Sequence, residues 1–155
     1  GWEHVTKETM TVPDGLFDQY DHLEDVYSDI QTQEEVLAFE WALQTYVPLS
    51  SPHPHPWFLI TYEELVSNGA SAIDDLFRSL DRSVPKEAYD QLRTPSATAS
   101  SELDETKSHA QLRTWRDHLS MKQVDQILRV THAVGVTAYN ETLRPDHDAI
   151  ASMAG

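Results

Sequence analysis

Residues 57–62 read Trp57-Phe58-Leu59-Ile60-Thr61-Tyr62, a short continuous apolar run followed by the acidic pair Glu63-Glu64. A run of this length, neither alternating nor spaced like a helix, reads as a strand buried on both faces, as in a parallel sheet. The nine residues before it, 48–56 (PLSSPHPHP), hold four prolines and exclude regular structure. Asn68-Gly69 marks a turn after it. The expected fold class is therefore α/β. It is predominantly helical, with one or two buried parallel strands.

The rest of the chain reads as helix. Leu16, Tyr20, Leu23, Tyr27 and Ile30 follow helical spacing behind a break at Pro13 and Gly15. Thr32-Gln33-Glu34-Glu35 is a capping box, and Val36, Leu37, Phe39, Trp41 and Leu43 supply the apolar stripe behind it. Pro48 is expected to end that helix. Ile73, Leu76, Phe77 and Leu80 form one face of the next, with Asp74, Asp75, Arg78 and Asp81 opposite. Pro85 opens a short helix through Leu92. Residues 94–108 are small, polar and aperiodic, and read as a loop. Ser120-Met121-Lys122-Gln123 is a second capping box, and its helix closes near Gly135. One domain over 1–143 is expected, with 144–155 a frayed tail.

Composition narrows the function. The 155 residues carry 26 acidic side chains and 11 Lys+Arg, a formal charge of −15, so nucleic acid is not an expected partner. No apolar run is long enough to span a membrane. Cys is absent, which removes disulfides, thiolate zinc sites and thiol nucleophiles and fits a reducing cytoplasm. The chain starts at Gly1 rather than Met and shows no signal-peptide pattern, which suggests processing, a tag scar or a piece of a longer chain. Glycines at 1, 15, 69, 135 and 155 are spaced for no Walker loop, no GxGxxG fingerprint and no GxSxG elbow. His53-Pro54-His55 places imidazoles at alternate positions of an extended loop, an arrangement able to chelate one ion. No carboxylate is fixed beside them, so a solvated loop is the plainer reading and no metal is expected. Adjacent acidic pairs such as Glu34-Glu35 read as solvated helix surface.

Taken in order, WFLITYEEL (57–65), a turn, an amphipathic helix, a polar loop and LRTWRDHLSMKQVDQIL (112–128) resemble the C-terminal half of sulfotransferases. These enzymes use 3′-phosphoadenosine 5′-phosphosulfate (PAPS). The resemblance spans roughly 34–140. It implies a parent of P-loop-type three-layer α/β fold that transfers a sulfuryl group from PAPS to a hydroxyl or amine. By the same resemblance Tyr62 contacts the adenine; the residue alone reads equally as a ring packed under the following helix. Ser96 and Thr98 match a hydroxyl-bearing adenine loop, or form a plain turn. Lys107 and Ser108 stand where the family holds the 3′-phosphate, though the Arg-Lys-Gly pattern is missing. Trp115 reads as a packing anchor. The family's phosphosulfate loop and catalytic base lie upstream of the matched region, so no catalytic residue is assigned and the chain alone is expected to be inactive. Strand edges left bare make a homo-oligomer the expected assembly. The rival reading is a non-catalytic helical interaction module.

Overall fold

Capping chemistry sets where the helices begin. The computed structural model describes residues 5–52, 57–92 and 112–153, and they fall into two units. The first is built from two stretches of chain, 5–52 and 119–153; the second is 57–118. The single domain expected from length is thus divided.

In the first unit, the run expected as one helix over 16–30 is broken. Helix α1 (Leu16–Gln19) stops at Tyr20, and α2 (His22–Asp29) restarts behind Asp21, whose carboxylate accepts from the His22 N–H at 2.8 Å. Helix α3 (Gln33–Ser50) starts at the expected box: Thr32 Oγ1 accepts from the Glu35 N–H, and Glu35 Oε2 accepts from the Thr32 N–H at 3.0 Å. Pro48 does not end it. The proline lacks an N–H, yet the helix runs on to Ser50. Ser51 then bonds the Val47 carbonyl through both its N–H and its hydroxyl, and meets the Tyr20 hydroxyl at 3.0 Å.

In the second unit, α4 (Tyr62–Ser79) is followed by α5 (Lys86–Leu92) and α6 (Trp115–His118). The chain then returns to the first unit with α7 (Met121–Val134), capped by Ser120 and Gln123 as expected, and α8 (His147–Met153). Residues 144–155 are not simply frayed. Asp146 accepts from the N–H groups of Asp148 and Ala149, and Ile150 of α8 is buried.

The core of the first unit lies chiefly where α3 meets α7, with α2 against α7 beside it. Phe39, Leu23, Val130, Val134 and Val136 are fully buried there. Gly135 closes α7 at φ 119°, the Val136 N–H bonding the Thr131 carbonyl at 2.9 Å. A polar clamp crosses the same helix pair. Gln123 donates to Glu34, and Arg129 Nη2 donates to Glu35 Oε1 at 2.7 Å. The Glu34-Glu35 pair, expected on solvated surface, is therefore drawn into packing, and Glu35 is only 3% exposed.

Among the described residues there is no strand, so the α/β class with buried parallel strands does not hold. Residues 57–60 are irregular, and Trp57 and Phe58 are 47% and 41% exposed. The reason is local. Thr61-Tyr62-Glu63-Glu64 is a third capping box, so the end of the apolar run is taken into a helix start. No other segment among the described residues forms a strand for 57–60 to pair with, and a strand without a partner gains nothing for the entropy of ordering it.

Candidate functional site

The site expected from the sequence centres on the start of α4. Thr61 is the N-cap. Its hydroxyl accepts from the Glu64 N–H at 3.2 Å, and its own N–H donates to Glu64 Oε2 at 3.0 Å. The side chain of Glu64 is thereby committed to holding the helix end. Ile60 and Leu65 occupy the positions of a hydrophobic staple on either side of the cap. This arrangement puts Tyr62 in the first turn, with 54% of its surface exposed. An exposed phenol at that place offers a face to a planar ligand, which favours the ligand-facing reading of Tyr62 over a ring buried under its helix.

One turn of helix joins Glu63 to Ser67. Glu63 Oε2 and Ser67 Oγ are both buried and have no hydrogen-bond partner. Sequence reasoning missed this pair because residues 57–62 were assigned to a strand, which hides the i, i+4 relation that a helix starting at Thr61 makes plain. Further along, Gly69 takes φ 40°, ψ −107°, and kinks α4 where a turn was expected. Beyond the kink, Ala72 and Ile73 are buried, and Tyr89 of α5 donates its hydroxyl to Asp74. That bond to a carboxylate, with some burial, holds the Tyr89 hydroxyl above its ordinary pKa. The helix ends in a Schellman turn, the Arg82 N–H bonding the Phe77 carbonyl at 2.9 Å, with Asp81 at φ 51°.

The structure does not bring the expected nucleotide residues together. Ser96, Thr98, Lys107 and Ser108 lie outside the described residues, as do His53 and His55. Trp115 is half-buried, with the Arg116 guanidinium 5.1 Å from its ring centre, a cation–π contact rather than a core anchor. Among the described residues no cluster of three His, Asp or Glu is placed to hold a metal, and no helix is long and apolar enough to cross a membrane. Two open clefts complete the inventory. One of about 470 Å³ lies between Val5–Glu8 and the turn into α3. The other, of about 430 Å³, lies at the C-terminal end of α4 between Arg78, Asp81 and Arg82. Neither gathers charge of one sign. No protein-family model, no curated protein and no solved structure matches the chain.

Proposed function

We propose that this chain supplies nucleotide-contacting helices to a cytoplasmic sulfotransferase that moves a sulfuryl group from PAPS to a hydroxyl or amine acceptor. The observation that carries the reading is the exposed Tyr62 in the first turn of α4, at the head of Tyr62-Glu63-Glu64-Leu65. The succession of elements supports it: the Thr61-capped helix, α5, the polar stretch 94–108, the short α6 at Trp115 and the Ser120-capped α7. Tyr62 stacks on the adenine, Ser96 and Thr98 hydrogen-bond the base, and Lys107 and Ser108 meet the 3′-phosphate. Catalysis of this kind is positioning and charge stabilisation, as in phosphoryl transfer. The five glycines of this chain build no phosphate-cradling loop, so these residues contribute binding and not turnover.

The net charge of −15 opposes a bisphosphorylated nucleotide, so affinity for 3′-phosphoadenosine 5′-phosphate is low. Calorimetry and NMR titration with that nucleotide are expected to give a dissociation constant on the order of 0.1 mM or weaker, about −5.5 kcal/mol, further weakened by Tyr62→Ala and by Lys107→Ala. Submicromolar binding unchanged by both substitutions together, or no response of the Tyr62 resonances at millimolar nucleotide, refutes the reading. A second reading, a helical interaction module without nucleotide, is favoured by the exposure of Trp57, Phe58 and Leu80 in the same unit; it expects no nucleotide response at all.

A further inference from the structure

We infer that residues 58–60 are a self-complementary dimerisation segment, pairing main chain to main chain with the same segment of a second copy. The inference is independent of the nucleotide reading. It starts from hydrogen bonding. Among the described residues, no backbone N–H or C=O of Phe58, Leu59 or Ile60 is bonded within the chain. Buried or half-buried main-chain groups are almost always paired, and here Leu59 and Ile60 are half-buried while Phe58 is 41% exposed. A helical or small-molecule occupant covers the apolar side chains and leaves those groups to water. Another strand satisfies both at once, which is the logic of strand addition.

The cap at Thr61 selects the register. The Thr61 N–H is taken by Glu64 and its carbonyl by the Leu65 N–H, so Thr61 has neither group to offer a ladder. In an antiparallel pair across a twofold axis, bonded and non-bonded pairs alternate. With Leu59 facing its own copy as the non-bonded pair, Phe58 of one chain faces Ile60 of the other and exchanges both N–H···O=C bonds. The ladder then ends at Thr61 on each side, where the backbone is already engaged. Phe58 opposite Ile60 is an aromatic–β-branched pair, a favourable cross-strand combination. The contact is isologous and closes at two copies. A two-stranded ribbon is marginal by itself, and each copy carries −15, so the association is weak and tightens as salt screens the repulsion.

Sedimentation equilibrium on the whole chain tests this, with amide hydrogen exchange read residue by residue. The expected result is a mass that rises from monomer to dimer with protein concentration and with added salt. Protection should grow at the Phe58 and Ile60 amides and not at Leu59. Phe58→Pro removes a ladder donor and should abolish dimerisation; Leu59→Pro removes an N–H that the register leaves unbonded and should retain most of it. Far-UV circular dichroism checks that both variants keep their helices. A monomer under all conditions, a dimer indifferent to Phe58→Pro, or equal loss with both prolines in folded protein overturns the assignment.

Discussion

Replacing Gly135 by alanine tests the packing of the first unit at its tightest point. Gly135 ends α7 at φ 119°, a backbone conformation that costs an L residue about 1–2 kcal/mol. A Cβ built there lies 2.6 Å from Cε2 and 2.8 Å from Cδ2 of Tyr46. The ring has little room to retreat. Tyr20 packs edge-on against it at 5.7 Å between centres, and His22 does the same at 5.7 Å while meeting the Val134 carbonyl. Overpacking of this kind costs about 1–3 kcal/mol. The two effects together give a loss of about 2–5 kcal/mol, a large part of the ~5–15 kcal/mol that holds a typical domain folded. Native-state hydrogen exchange at the Val130 and Val134 amides measures it in the unit concerned, without requiring both units to unfold together. Gly15→Ala is the control. Its φ is 75°, but the nearest atom to an added Cβ is Asp18 Oδ2 at 3.9 Å, so only the backbone cost of about 1–2 kcal/mol applies. A second control, Gly135→Ala combined with Tyr46→Ala, should show strong coupling because the clash partner is gone. A Gly135→Ala loss no larger than that of Gly15→Ala, or strict additivity with Tyr46→Ala, refutes the argument.

Two further outcomes follow from the caps. Glu35→Ala deletes half of the α3 capping box and the partner of Arg129, and should destabilise the first unit by about 1–3 kcal/mol at neutral pH; little of this is the ion pair, because Arg129 is half exposed. Burial raises the Glu35 pKa, but the N–H groups of Gln31 and Thr32 and the Arg129 guanidinium outweigh it, so the folded carboxyl lies below its ordinary 4.5. Its stabilisation is complete above that value and drains as pH falls through the folded one, so the gap between wild type and Glu35→Ala should narrow in acid unfolding titrations; a gap that widens there contradicts the direction. Asp81→Gly relieves a positive φ at the end of α4 and should stabilise the second unit by about 0.5–1 kcal/mol, read as a higher thermal midpoint; a lower midpoint means that the carboxylate has a role of its own there.

Caps and helix faces were legible, because they depend on neighbours three or four residues away. Thr32 with Glu35, Ser120 with Gln123, Pro85 before α5 and Gly135 after α7 all stand where local chemistry puts them. The misreadings came where two local rules compete or where the deciding partner is distant. At residues 57–64, apolar continuity argued strand and Thr61-x-x-Glu64 argued helix start; with no neighbouring strand the cap prevailed. Asp21 offered a cap inside an unbroken helical spacing and split it. Pro48 failed to stop α3, because Ser51 and Tyr20, the latter 31 residues away, hold the last turn. Glu35 looked like solvated surface since Arg129 is 94 residues distant in sequence. Of the candidate site, Tyr62 and its motif were visible, whereas the Glu63 and Ser67 relation depends on the helix register.

The first unit is assembled from two separated stretches, and this has a consequence during synthesis. Helix α3 carries Val36 and Phe39 out of the ribosome about 70 residues ahead of α7, the helix that covers them. At roughly 5–20 residues per second that interval lasts several seconds, during which an apolar helix face waits without its mate. Closing so long a loop adds only about 2 kcal/mol of entropy over a tenfold shorter one, so the cost of this chain order is paid in time and exposure more than in final stability. The intervening residues can form the Thr61-capped helix and its α5 contact from local sequence alone, and so fold while the first unit is still waiting to close.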